Sequence, residues 1–338
     1  MSFPGGEAPR PDGVTAPRDP YPERGADRTR WIQESRPPRG VVDPSRPAGA
    51  FVEEERSASG EMVPVATLLL AGAECPWRCL MCDLWKQTVA GPTPPGALVS
   101  QVDAGLATLP PAQWLKLYNA GSFFDRAAVP PHDLPAIAER ARRFERLIVE
   151  CHPSLVGEDV FRFRDLLGAT ALEVAMGLET IHPDVLPKLN KRMTPADFRR
   201  AAALLAGSGI DLRAFVLAAI PFASRDESIL WAERSVEFAF AAGASVVTLI
   251  PTRPGNGALD RLEREGLFRP PDLGMLEEVS ASGLAFSRAL GRGRVFVDTW
   301  DLARFAACRL CFDGRRERLE RQNELQSVAR RVGCPVCG

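Results

Sequence analysis

Seven of the eight cysteines fall into two groups with metal-ligand spacing. The first is Glu74-Cys75-Pro76-Trp77-Arg78-Cys79-Leu80-Met81-Cys82-Asp83, three thiols separated by three and then two residues. Three such thiols converge on one centre, but a four-iron cube has four corners, so this loop leaves one iron open to a small molecule. A structural zinc is the competing reading, and it wants a fourth ligand that no nearby cysteine or histidine supplies. The second group, Cys308-x-x-Cys311 and Cys334-x-x-Cys337, is complete. It makes one four-thiolate site, which zinc and an auxiliary iron-sulfur cluster accept equally. Cys151 has no close cysteine and reads as a small buried residue.

The elements that must position these residues alternate along the chain. An apolar run at Val63–Ala71 ends in Gly72 and suits a strand buried on both faces, with the first cysteine loop directly after it. Further strand-like runs follow at residues 114–118, 146–151, 171–176, 212–217 and 245–250, with Val295-Phe296-Val297-Asp298 as a candidate seventh. Helical stretches lie between them at residues 97–109, 134–144, 159–167, 195–208 and 227–242, and another spans 276–290. Thr194 with Pro195 just inside marks one helix start. Six strand–helix beats imply an α/β chain with a parallel sheet and right-handed crossovers, either open and doubly wound or wrapped like a barrel. Polar residues fall just after the strands, at Cys75, Asn119, Glu150 and Glu179, which favours a partial (β/α)6 TIM-like barrel with its site at the C-terminal mouth.

The expected division is therefore a disordered arm over 1–58, a barrel over 59–300 and a four-cysteine metal-binding tail over 301–338. The arm is rich in Pro, Gly, Arg and Asp and short of large apolar side chains. Within it, Arg28, Arg30, Arg36 and Arg39 beside Trp31 are either a bland leader or contacts to phosphate. The tail's Arg315, Arg316, Arg318, Arg321, Arg330 and Arg331 are matched by enough acids to make a solvated helix and a phosphate-facing patch equal readings. A formal charge of -1 and a pI near 6.4 exclude a polycation acting through its net field. With no secretory h-region and no uninterrupted apolar run of about 18 residues, the expectation is a cytoplasmic protein with no membrane contact.

The spacing in ECPWRCLMCDLW after a first buried strand resembles the signature of the radical S-adenosylmethionine (SAM) superfamily, and the strand–helix pattern over residues 60–300 is similar to that superfamily's partial six-stranded barrel. Asn119-Ala120-Gly121-Ser122-Phe123-Phe124-Asp125, Glu150-Cys151-His152-Pro153, Gly177-Leu178-Glu179-Thr180 with Asn190-Lys191, and Ile220-Pro221-Phe222 resemble the branch holding the archaeosine synthase radical subunit and, more distantly, the elongator catalytic subunit. The resemblance implies that Cys75, Cys79 and Cys82 hold a [4Fe-4S] cluster. It implies that SAM completes the cluster and is cleaved reductively to a 5'-deoxyadenosyl radical. It further implies an electron donor such as flavodoxin or ferredoxin and, from the branch, tRNA as a partner through nucleobase modification.

The superfamily's second-strand motif reads Gly-Gly-Glu, whereas here Asn119, Gly121 and Ser122 occupy the turn with no Glu. Gly121 permits close backbone approach and Ser122 offers a hydroxyl, so with Glu179 these are the expected cofactor contacts. Glu150 and His152 are the expected catalytic or substrate-binding pair, with a structural histidine as the alternative. Lys191 and Arg192 read as a solvated turn or as an anion contact. Two rival functions keep the same residues: radical chemistry on a peptide or small metabolite, and a non-catalytic protein whose metals only brace a binding surface.

Overall fold

The computed structural model describes residues 21–337. Its centre is one sheet of eight strands in sequential order: β1 (Gly49–Arg56), β2 (Met62–Leu70), β3 (Trp114–Asn119), β4 (Arg146–Glu150), β5 (Ala171–Glu179), β6 (Asp211–Leu217), β7 (Val246–Ile250) and β8 (Arg294–Val297). β2 through β8 run parallel, and β1 pairs antiparallel with β2. Parallel neighbours need crossovers, and helices supply them. After α1 (Gly25–Glu34) come α2 (Ala97–Leu106), α3 (Leu134–Ala141), α4 (Glu158–Leu166), α5 (Val185–Lys188), α6 (Pro195–Gly207), α7 (Arg225–Ala241), α8 (Ala258–Arg264) and α9 (Leu273–Leu290). α10 (Phe312–Leu325) follows β8. Among the described residues no helix is long and apolar enough to cross a membrane.

Local chemistry fixes the main helices. Thr194 caps α6 in a reciprocal box with Asp197, with Pro195 in the first turn, as the sequence predicts. Ser224 and Glu227 form the same box at α7, and Asp272 caps α9 through the Met275 N–H.

One face of the sheet carries Leu68, Leu117, Val149, Val174, Ala214 and Leu249 into the main core with the helices. The inner face is different. Val63, Val65, Trp114, Ile148 and Ala175 form a small second apolar cluster there. Because side chains alternate along a strand, Lys116, Glu173 and Arg213 share that face. They make a buried ion network across it. Lys116 Nζ lies 2.6 Å from Glu55 and 2.8 Å from Glu53, both on β1. Arg213 pairs with Glu55 and, at 2.7 Å, with Glu173, which also takes Arg146 at 3.2 Å. Burial pushes the Glu55 pKa up, but Arg213 and Lys116 more than reverse it and hold the carboxyl well below its usual range.

This network reveals the sheet's shape. β1 and β6 are five places apart in the strand order, and in a flat sheet they would stand roughly 24 Å apart at about 4.8 Å per strand. The Glu55–Arg213 ion pair exists only because the sheet curls into a half-barrel. Near the seam, Arg294 of β8 donates to the Arg56 carbonyl at the end of β1 at 2.6 Å.

One expectation changes. The arm expected over 1–58 lies outside the described residues as far as residue 20. From Tyr21 onward it is part of the body, because Trp31 and Ile32 of α1 enter the core and residues 49–56 form β1. The inward glutamates of β1 find cations inside the half-barrel, so this strand shows no apolar alternation to read. The candidate seventh strand forms as expected: β8 at Arg294–Val297 pairs parallel with β7 and follows the six beats.

Replacing Arg213 with Met leaves Glu55 and Glu173 short of a cation in a dry interior. The expected loss is about 3–5 kcal/mol of unfolding free energy, measured as a lower denaturant midpoint with an unchanged slope.

Candidate active site

The cysteine loop leaves the C-terminal end of β2 and is fastened on several sides. Upstream, the Gly72 backbone packs so closely on the next loop that a Cβ there would meet the Ala128 carbonyl at 2.9 Å, while the Ala73 N–H donates to Thr93 Oγ1 at 2.7 Å. Within the loop, Leu80 N–H donates to the Leu189 carbonyl (2.9 Å) and Asn190 Nδ2 to the Arg78 carbonyl (2.8 Å). Asn256, just beyond β7, donates to the carbonyls of Leu80 (2.8 Å) and Cys82 (3.3 Å). Glu74 collects Arg36 at 2.6 Å, Arg39 at 2.8 Å and Arg78 at 3.2 Å. Two of the arm arginines weighed above as phosphate contacts are thus clamps on the residue before Cys75. Arg36 also lies over the Trp85 ring, 4.7 Å from its centre.

Cys79 is buried, and Cys75 and Cys82 are half-buried. Burial pushes all three thiols up to about 12. The free loop therefore carries neutral thiols, and any metal bound there has to displace their protons. The tight four-thiol group at Cys308, Cys311, Cys334 and Cys337 forms without them, and no fourth cysteine lies near the loop in sequence. A single tetrahedral ion wants four ligands on one centre, whereas a cube takes one thiolate on each of three irons and leaves the fourth iron open.

Strand ends supply the surroundings. Lys191 and Glu179 form a buried ion pair of 2.6 Å. Burial works against the Lys191 charge, but Glu179 and the Cys79 thiol outweigh it and raise the pKa. The pair crosses the space where Gly177 has no side chain: a Cβ there would stand 2.0 Å from Glu179 Oε1 and 2.3 Å from Lys191 Nζ. Backbone strain gathers here too. Glu179, Asn190, Arg192 and Phe222 all hold φ between 55° and 65°, at about 1–3 kcal/mol each for residues with a Cβ. Asn119 is 3% exposed, and neither atom of its side-chain amide has a hydrogen-bond partner. Gly121 sits so close to the cysteine loop that a Cβ would meet the Ala73 carbonyl at 2.9 Å. Three thiols lacking a fourth, an unpartnered amide and a buried ammonium–carboxylate pair together fit an iron-sulfur cube that shares one iron with an amino-acid ligand.

The remaining predicted residues divide. Ser122 Oγ accepts from the His152 N–H at 3.0 Å and so ties the exits of β3 and β4 together. His152 is pinned: Nδ1 accepts from the Ser154 N–H (3.2 Å), Nε2 donates to the Lys191 carbonyl (3.1 Å), and the ring stacks on Trp77 of the cysteine loop at 3.8 Å. Burial and the Lys191 charge push its pKa down to about 4. Glu150 carries the opposite shift, since burial pushes it up to about 8 against the Asn119 N–H and Lys191. Lys191 is the residue that sequence reading undervalued. A lysine in a polar turn gives no sign of burial, and only the fold brings Glu179 to it.

The site defines a class before it defines a relative: a half-barrel whose first parallel strand delivers a three-cysteine loop to the mouth. No protein-family profile matches the chain. The sequence is 27% identical over 170 residues to archaeosine synthase subunit beta of Thermococcus kodakarensis, covering 49% of this chain and 52% of that protein. The chain thus spans about half the length of the curated relative it matches. Among solved structures it is similar to the archaeal Elp3 of Methanocaldococcus infernus lacking its N-terminus (17% identity, TM-score 0.45, 62% of this chain and 54% of that one). It is also similar to the radical SAM methyltransferase TsrM of Kitasatospora setae with tryptophan and a SAM analogue bound (21%, 0.37, 55% and 35%).

Glu150 gives a pH signature. Its pKa rises from 4.5 to about 8 on folding, so the folded state holds the extra proton and this contribution to stability is lost as pH rises toward 8. His152 works the other way but only below about 6.5. Between pH 7 and 8.5 wild-type stability is therefore expected to fall, and Glu150→Gln to flatten that slope in denaturant titrations.

Proposed function

We propose that the chain is a radical SAM enzyme: Cys75, Cys79 and Cys82 ligate a [4Fe-4S] cluster whose open iron takes SAM. The observation that supports this most is the buried loop of three thiols without a fourth, beside Lys191–Glu179 and the unpartnered Asn119 amide. When bound and reduced, the cluster supplies one electron to the sulfonium, giving methionine and a 5'-deoxyadenosyl radical that removes a hydrogen atom from the substrate.

The protein's part is placement. Lys191 offers an ammonium to the methionyl carboxylate, and Glu179 and the Asn119 carbonyl offer acceptors to the methionyl amine. Gly121 and Gly177 keep backbone and open space where side chains would block approach. Glu150, protonated at neutral pH, contributes a neutral donor and adds no second negative charge near Glu179. Ser122 and His152 act as positioning residues through Trp77. The anchors Asn190, Asn256 and Glu74 hold the loop rigid, which fixes ligand geometry before metal arrives.

For substrate class we place a tRNA nucleobase first, with carbon–nitrogen or carbon–carbon bond chemistry, supported by the similarity to archaeosine synthase subunit beta. A flavodoxin or ferredoxin is the proposed electron source.

Anaerobic reconstitution followed by dithionite and SAM is expected to give 5'-deoxyadenosine. A fully loaded cluster that forms none would sink the proposal. Cys79→Ala is expected to abolish both cluster absorption and product while circular dichroism stays unchanged, since burial rather than metal holds the strands. Bound tRNA that copurifies and stimulates turnover would support the substrate class, and stimulation by a peptide or metabolite alone would replace it.

A further inference from the structure

The tail's four thiols form a second centre whose spacing decides what it holds. Cys308 Sγ lies 3.9 Å from Cys334 Sγ, Cys311 Sγ lies 3.5 Å from Cys337 Sγ, and all four sit within 4.8 Å of one another. One zinc ion bound tetrahedrally at about 2.3 Å sets its sulfurs ~3.8 Å apart. A cube spreads its thiolates wider, since each caps a different corner.

The surroundings show what such an ion would hold. Cys311 is the residue on which α10 starts, and Cys334 and Cys337 end the segment that returns beside it. Arg318 Nε donates to the carbonyls of Ala329 (3.1 Å) and Arg330 (3.0 Å), and Arg315 and Arg318 reach Glu277 of α9 at 3.0 and 3.1 Å. At its far end α10 meets the sheet in an uncommon way. Asn323 Oδ1 accepts from the Val297 N–H and Nδ2 donates to the Val297 carbonyl, both at 2.8 Å. Gln326 does the same to Val295, at 2.8 and 3.0 Å. Two side-chain amides thus satisfy the edge of β8 where a further strand would otherwise pair. An open strand edge is a template for unwanted pairing, so covering it has a physical purpose.

We propose that the tail binds one tetrahedral divalent ion of the zinc class, not an auxiliary iron-sulfur cluster, and that this ion fastens α10 so that Asn323 and Gln326 cover the open edge of β8. The site is structural: its four positions are filled by protein, which leaves none for a substrate. It does not depend on what the first loop binds.

Metal analysis of anaerobically purified wild-type protein is the first test. About one zinc per chain, beside about four irons when the first loop is loaded, is expected; about eight irons and no zinc overturns the proposal. The variant with Cys75, Cys79 and Cys82 all changed to Ala isolates the tail. It should keep one zinc, take cobalt(II) in its place with a tetrahedral thiolate spectrum, and hold no iron; iron-sulfur absorption there overturns the assignment. Hydrogen exchange tests the role. Removing zinc with a chelator should speed exchange of the Val295 and Val297 amides by roughly tenfold or more while β4 and β5 stay protected. Unchanged exchange at those two amides, or loss of protection throughout the sheet, overturns the fastening role.

Discussion

Everything at the mouth of this half-barrel depends on charges buried at its heart. Arg213 reaches β1 through Glu55 and β5 through Glu173, while Lys116 joins Glu53 and Glu55. Such a network is a poor source of net stability, because removing ions from water consumes most of what their attraction returns. Its value here is geometric. An apolar interior would tolerate many degrees of curl, whereas ion pairs are satisfied at one curvature, and that curvature sets where each strand ends. The cysteine loop, Asn119, Glu150 and Glu179 inherit their relative positions from it.

Above that layer the loop is fixed mostly by groups that contact backbone rather than sulfur. Asn190 and Asn256 take the carbonyls of Arg78, Leu80 and Cys82. Glu74 gathers three arginines. Two strained residues take part at the same end of the sheet, Asn190 holding the Arg78 carbonyl and Glu179 pairing with Lys191. Strain of this kind persists where surrounding structure over-determines it, as the crowded Gly177–Glu179–Lys191 contact does here.

Much of this was legible in the sequence for reasons that are local. Thiol spacing is a covalent fact, apolar runs announce buried parallel strands, and Thr194-Pro195 announces a helix start. What stayed hidden depended on partners far along the chain. β1 reads as a charged segment because Glu53 and Glu55 face inward to cations on β3 and β6. Lys191 reads as either a solvated turn or an anion contact, and only the fold shows that Glu179 of β5 is the carboxylate it meets. Ser122 reads as a hydroxyl free for a ligand and His152 as either reactive or structural, and the fold closes them on each other with the His152 ring on Trp77. Nothing in the run GAFVEEER or in the pair Lys191-Arg192 carries that information.

The Asn256 hydrogen bonds to Leu80 and Cys82 set an order of events in biosynthesis. They join residues 176 and 174 positions apart. Chains emerge N-terminus first, so the cysteine loop is made early. It then waits for β7 and the turn beyond it before its carbonyls are held. The anchors from Arg36, Arg39, Thr93, Leu189 and Asn190 are made earlier, so the Leu80 and Cys82 carbonyls are the last part of the loop to be held. The loop's geometry is therefore complete only after synthesis of about three quarters of the chain, when the half-barrel around it already exists.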